Sequence, residues 1–289
     1  MNLENLNKLI TEALAIEVEE AKRAGKLRYM ARALVQATMP HSKVEGNEFE
    51  RINGVFRLNI LAPSRIGLPY GSIPRLLISW LSTEAVKTKQ RELILGSTLS
   101  EFMTELGLIP TGGRWGTITS LKEQTKRLFS AAISCTYDDG KHWAIKNVQP
   151  VVESNLWWNP KNPNQTSLFE STVVLGEEFF KEIIDHPIPI HLDVLKAIKR
   201  SPLALDIYCW LTYRMSYLEK ETTIPWPVLQ LQFGSDYATD QQGIRNFKKA
   251  FLRELRKVAL FYESANIEDT SPGLRLKPGK THIKQLITL

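Results

Sequence analysis

A run of helix, short connector, helix and strand pair occurs twice in this chain, and a duplicated unit restricts the possible folds more than any single motif. In the first copy TLSEFMTELGL reads as a short amphipathic helix ending at Gly107, a residue free to take the left-handed turn that closes a helix. The connector IPTGGRWG leads to ITSLKEQTKRLFSAAI, a longer helix with Ile118, Leu121, Thr125, Phe129 and Ala132 on one face. The strands ISCTY and HWAIKNV follow, about a turn at Asp138-Asp139-Gly140. In the second copy IPWPVLQLQFG ends at Gly234 and SDYATD connects it to QQGIRNFKKAFLRELRKVAL. That helix carries Ile244, Phe247, Phe251, Leu255 and Val258 on its apolar face, with Ile244 as its centre. The segment LFYESANIEDTSPGLRLKPGKTHIKQL then supplies two strands and a polar loop. Gly107 matches Gly234 and Leu121 matches Phe247. A winged helix-turn-helix accounts for each copy; the alternative is a chance likeness of two generic patterns.

The rest of the chain frames these copies. Residues 3–38 read as a helix carrying Arg23, Lys26, Arg28 and Arg32, broken by HSKVEGN. FERINGVFRLNILA reads as a strand pair about Asn53-Gly54. SIPRLLISWLSTEAVKT reads as a helix capped by Ser72, and RELILG as a short strand. The expected fold is α+β: two tandem winged helix-turn-helix domains behind an N-terminal helical arm. Its boundaries are 1–45 for the arm, 46–185 for the first winged-helix domain and 186–289 for the second.

Charge indicates what such domains meet. The chain has a formal net charge of +6. Residues 240–289 hold ten Lys or Arg against five Asp or Glu, which concentrates the excess there. Clustered positive charge is the footprint of a phosphate-binding surface. Opposite the apolar stripe of the second long helix lie Gln242, Arg245, Asn246 and Lys249, followed by Arg253, Arg256 and Lys257. Asn, Gln and Arg match the edges of adenine and guanine in the major groove, and the later cations suit phosphates. A basic helix binding an acidic protein is the competing reading. The first long helix offers Thr119, Ser120, Lys126 and Arg127, with Glu123 either accepting from cytosine or pairing with Arg127. Arg114 in the connector, with Lys141 and His142 in the strand pair, would add phosphate contacts.

GLRLKPGKTH, residues 273–282, nearly spells a nucleotide-binding loop. A P-loop has four residues between its glycines and opens a helix. Here Gly273 and Gly279 are one residue too far apart, and the following HIKQLITL reads as a strand. The stretch is better read as the tip and second strand of a wing, with Lys277 and Lys280 flanking Pro278-Gly279. His186 and His191 are not a close His-x-His pair, and HExxH, GxSxG and CxxC do not occur. No catalytic centre, metal or cofactor is expected. Cys135 and Cys209 read as buried thiols. No run of about 18 apolar residues suggests a membrane span, and the acidic N-terminal stretch is unlike a signal peptide, so a cytoplasmic protein is expected.

Residues 67–131, through PYGSIPRLL, STEAVKTK and TGGRWGTI, resemble the plasmid-encoded RepA family of replication initiators. SPLALDIYCWLTYRM is similar to that family and to the wider class of iteron-binding initiators. The resemblance spans most of the chain beyond about residue 45. It implies a tandem winged-helix initiator that binds direct repeats (iterons) in the duplex of a bacterial plasmid origin. Such a protein helps open an AT-rich region and recruits the host initiator and helicase. Relatives in the wider class repress their own promoter as homodimers and act at the origin as monomers. TGGRWGTI places Gly112, Gly113, Arg114, Trp115 and Thr117 at the entrance of the first recognition helix, with Trp115 read as a core residue. The SPLALDIYCWL helix reads as architectural. The alternatives are a winged-helix transcriptional regulator without initiator activity and an ATP-dependent enzyme using GLRLKPGKTH.

Overall fold

The computed structural model describes residues 27–159, 161–166, 170–234 and 237–283. They form a mixed α+β fold in two compact units. A central unit holds Met39–Glu50 and Val55–Pro187. A terminal unit holds the described residues up to Thr38, Arg51–Gly54 and those from Ile188 onward.

The chain enters as strand β1 (Leu27–Ala31) and helix α1 (Arg32–Gln36). The helix expected over 3–38 is therefore a strand in part, and its residues 3–26 lie outside the described residues. Pairing of LRYMA with a later strand overrides its helix propensity. The part of the expected arm up to Thr38 groups with the terminal unit.

β2 (Glu48–Asn53), of which Glu48–Glu50 belong to the central unit, and β3 (Phe56–Leu61) form the expected strand pair. Helix α2 (Ser72–Thr88) follows, buried nearly all round through Leu76, Leu77, Ile78, Trp80 and Leu81. Ser72, read as its cap, is the first helical residue, and the cap position is Gly71. Next come β4 (Glu92–Ile94), α3 (Leu99–Glu105) and α4 (Thr117–Phe129). Thr98 caps α3 by accepting from the Glu101 amide. Phe102 of α3 lies fully buried, edge-on to Trp80 at 5.0 Å and stacked on Trp158 at 5.3 Å.

Four strands and a helix complete the unit: β5 (Ala132–Asp138), β6 (Trp143–Asn147), β7 (Val151–Asn155), β8 (Thr172–Leu175) and α5 (Glu177–Asp185). The sheet order corrects the sequence reading. β5 and β6, taken as the first wing, belong to a four-stranded sheet ordered β2-β3-β5-β6. The hairpin that returns to β4 is β7–β8, in the order β4-β8-β7, with Leu93 opposite Val173. Two hairpins follow α4, and nothing local in the sequence says which one reaches β4.

The terminal unit contains β9 (Pro187–His191), α6 (Leu192–Ile198), α7 (Pro202–Ser216), β10 (Thr222–Pro225), α8 (Trp226–Phe233), α9 (Gln241–Ala259), β11 (Asn266–Asp269) and β12 (Gly273–Lys277). β9 pairs with β1. Ser201 caps α7, and Pro202 occupies the first turn where its missing N–H costs nothing. Trp210 of α7 packs edge-on to Phe233 of α8 at 5.4 Å and to Phe251 of α9 at 6.5 Å. The sheet order is β10-β12-β11. Each unit thus repeats one arrangement: helix, strand, helix, helix, then a hairpin whose second strand lies in the middle of the sheet.

GLRLK of the P-loop-like stretch is β12, paired with β10 on one side and β11 on the other. Its backbone donors face neighbouring strands, so it forms no phosphate cradle. Residues 284–289 of the strand read after it lie outside the described residues.

Candidate nucleic-acid interface

Helix α9 buries Phe247, Ala250, Phe251, Glu254, Leu255 and Val258. Ile244 is half-buried, so the buried stripe runs through Phe247 and not through Ile244 as the sequence suggested. Asp240 caps the helix, its carboxylate accepting from the Gly243 amide at 2.6 Å. A Cβ on Gly243 would fall 1.8 Å from the Ala238 carbonyl oxygen. The connector therefore closes on the helix only because that residue is glycine. Gly243→Ala should lower stability by about 1–3 kcal/mol through overpacking, measured as a shift of the urea midpoint.

On the outer face Gln242, Arg245, Asn246, Lys249, Arg253 and Arg256 are exposed. The Gln242 amide donates to Asn246 Oδ1 at 3.0 Å. This leaves Gln242 Oε1 to accept and the Asn246 NH2 to donate, the complement of adenine's N6 and N7. Lys257 and Arg253 need correction as free phosphate contacts. Both bind the buried carboxylate of Glu254, at 2.7 and 2.8 Å, and the Lys257 side chain is only a quarter exposed. Burial pushes the Glu254 carboxyl up, but hydrogen bonds from Lys257, Arg253 and Ser201 outweigh it and hold it below its ordinary value. Arg253 keeps an exposed guanidinium edge; Lys257 is a structural cation.

Helix α4 differs more from the sequence reading. Its buried face is Ile118, Leu121, Gln124, Thr125 and Leu128, with Phe129 half-exposed and Ala132 already in β5. Thr117, Thr119 and Ser120, expected to face DNA, turn their hydroxyls to the connector. Thr117 Oγ1 donates to the Ile109 carbonyl and accepts from the Thr111 amide. Thr119 donates to Gly113 O at 2.9 Å and Ser120 to Gly116 O at 3.1 Å. Their protons shape the turn. Arg127 is also absorbed: its Nε and Nη2 both donate to Glu123 Oε1, its Nη1 donates to Leu68 O, and it lies 5.4 Å over the Tyr70 ring. Lys126 stands exposed as expected, and Lys122, which the sequence reading passed over, is exposed beside it. Its signal was its place four residues before Lys126. Arg114 is exposed, and Trp115, expected in the core, is 87 % exposed.

The hairpin cations also move. Lys141 and His142 occupy the β5–β6 turn, where both amides donate to Asp139 Oδ1. Asp138 and Asp139 thus serve the turn, and the hairpin they close lies outside the sheet of α3 and α4. The sequence puts Lys277 and Lys280 at a wing tip. The tip is instead residues 270–272, between β11 and β12, and both lysines lie at the opposite, open end of the hairpin. There Lys277 is 3.6 Å from Glu268, and the Lys280 carbonyl accepts from Tyr262.

A further cluster joins residues remote in sequence. The His191 amide donates to the Tyr208 oxygen at 3.0 Å, and that oxygen lies 2.9 Å from His282 Nδ1. Burial, with the His191 ring 6.3 Å away, lowers His282 to a pKa of about 4. Cys135 is buried, and burial raises its thiol to about 12, leaving it inert at neutral pH.

No helix among the described residues is long and apolar enough to cross a membrane. Two solved structures resemble the fold. One is the crystal structure of RctB domains 2-3, 12% identical, covering 85% of this chain and 96% of that one with a TM-score of 0.51. The other, of domain 2 and domain 3 of RctB as a SeMet derivative, is 10% identical and covers 87% and 99% with a TM-score of 0.53. At such identities the likeness concerns the fold alone. No curated protein matches. The family model described as "Plasmid encoded RepA protein" matches residues 68–227, more than half of the chain, from just before α2 to the start of α8. The chain belongs to the plasmid-encoded RepA family of replication initiators.

Proposed function

We propose that this initiator binds direct repeats at its plasmid origin through two winged-helix units, with α4 and α9 as recognition helices. The strand orders β4-β8-β7 and β10-β12-β11, each around the same helices, support reading both units as winged helices. The observation that carries the DNA reading is the outer face of α9. Gln242, Arg245, Asn246 and Lys249 stand exposed on a helix whose other side is anchored in an aromatic core. Forked side chains near the helix N-terminus read bases, and cations further along hold phosphates. Bound in the bacterial cytoplasm, the protein would help open an adjacent AT-rich segment and recruit the host initiator and helicase. As a homodimer it would repress its own promoter. The reading calls for no catalytic centre, since melting would draw on binding energy, DNA deformation and partners.

Fluorescence anisotropy with an origin repeat and its scrambled version tests this. A preference of about a thousandfold or more is expected, with affinity falling as salt rises. Equal binding to both duplexes would sink the reading. Among variants, Arg245→Ala and Asn246→Ala should each cost the repeat about 1–3 kcal/mol and spare the scrambled duplex. Lys249→Ala should weaken both alike and reduce the salt slope by about 1. Lys280→Ala, at the open end of its hairpin, should change neither. Equal losses on both duplexes for Arg245→Ala and Asn246→Ala would contradict base reading.

A further inference from the structure

Trp115 is the most exposed of the large apolar side chains among the described residues, at 87 %. An indole left in water is unusual, because burying it would remove a large apolar area from solvent. Nor is it carried on a loose loop. The Gly116 amide donates to Gly113 O at 3.1 Å, closing a tight turn with Arg114 and Trp115 at its corner. Thr117 binds back to Ile109 and Thr111, and Thr119 to Gly113, so the connector is fastened to the first turn of α4. A Cβ on Gly116 would fall 2.2 Å from the Thr111 carbonyl oxygen, so that close fit also depends on glycine. The hydroxyls that do not face outward are thus the ones that hold the tryptophan in place.

The surroundings indicate an occupant. The Arg114 guanidinium lies 5.0 Å from the indole centroid. Lys122 and Lys126 stand exposed on the same helix, while Glu123 is neutralised by Arg127. An apolar ring set among cations at the start of a recognition helix suits a polyanion that carries apolar groups. In the major groove that group is the thymine C5-methyl.

We propose that Trp115 is a specificity-determining residue that packs on thymine methyl groups at the edge of the sequence read by α4. This rests on the DNA-binding reading above. Because Thr117, Thr119 and Ser120 are committed to the turn, it assigns much of this unit's sequence preference to shape and methyl contact.

The test uses the full chain and duplexes that it enriches from a randomised pool. Each thymine of the enriched site is then replaced by deoxyuridine, which removes only the methyl. For the wild type, one or two replacements should lower affinity about tenfold. Trp115→Ala should lose about the same factor on the thymine duplex and nothing more on the deoxyuridine duplex. Trp115→Phe should recover part of the loss. Two outcomes overturn the proposal: Trp115→Ala binding as the wild type does, or losing affinity while every deoxyuridine effect persists, which would place the indole on sugars, a base step or a protein. Thermal melting of Trp115→Ala should match the wild type, since the side chain is 87 % exposed; a lowered melt would mean it supports the fold instead. Failure of the wild type to enrich any sequence would sink the DNA reading itself, and this assignment with it.

Discussion

Phe251→Ala is expected to lower stability by about 3–5 kcal/mol, the range for removing a buried aromatic side chain. Its ring has no solvent exposure and packs against Trp210, Trp226, Phe233 and Phe247, at 6.5, 6.0, 5.5 and 5.6 Å. These partners come from α7, α8 and α9 itself, so one deletion loosens three helices together. The cost includes lost transfer free energy and the cavity left behind, because rings held from several helices cannot all move in to fill it. Urea denaturation gives the number directly, and Phe251→Leu, which keeps much of the volume, should lose roughly half as much or less. A loss under about 1 kcal/mol would mean the cluster relaxes around the gap. DNA affinity at temperatures well below the transition should fall far less than stability, since none of the exposed residues of α9 is altered.

The second large effect depends on pH. His282 is held neutral in the folded chain, with a pKa of about 4 against an ordinary 6.5. The unfolded chain therefore binds the extra proton between those values and the folded chain does not, so stability falls as pH drops from about 6.5 to 4. Above 6.5 the contribution is flat. The shift corresponds to about 3 kcal/mol by pH 4. Burial is the main cause, with the His191 ring 6.3 Å away; the Tyr208 oxygen accepts from the His191 amide and lies 2.9 Å from His282 Nδ1. A protonated ring would present a second donor there, close to His191, with Tyr262 also packed on it at 5.2 Å. Stability measured from pH 7.5 to 4 for wild type and His282→Gln isolates the effect, because the carboxylates titrate in both. Parallel curves would remove His282 from the acid response.

How far the sequence could be read depended on the range of the interaction. Phe247, Phe251, Leu255 and Val258 are buried, as their spacing along one helix predicts. The exposure of Arg245, Asn246 and Lys249 follows from the same periodicity. Partnerships across the chain were beyond it. The choice of β7–β8 over β5–β6 as the hairpin of the central unit is decided by pairing with β4, some eighty residues before β8. Lys257 is different: Glu254, three residues earlier on the same helix, was within reach of the sequence, but the burial that makes Glu254 claim the lysine depends on the packing of α9. Trp115 was assigned to the core because tryptophan usually is buried, whereas its place at the corner of a tight turn keeps it out. His191 and His282 meet only once α7 and the segment after β12 are folded together. Even the matched glycines serve different needs. Gly107 takes a positive φ of 71°, whereas a Cβ on Gly234 would fall 2.4 Å from the Phe247 ring.

The β5–β6 hairpin stands between α4 and the strands β7 and β8 that complete the sheet of β4, at a point where the terminal unit passes directly from α9 to β11. One copy of the architecture thus accommodates a whole strand pair that the other lacks. Lengthening a connection is inexpensive in chain entropy, about 0.6 kcal/mol for each doubling, provided the ends still meet. The equivalent junction in the terminal unit runs through Glu263 and Ser264, both exposed, just past the buried Phe261 and Tyr262. It is therefore a natural graft point, where a fluorescent reporter or an epitope could be spliced into the initiator without dividing either sheet.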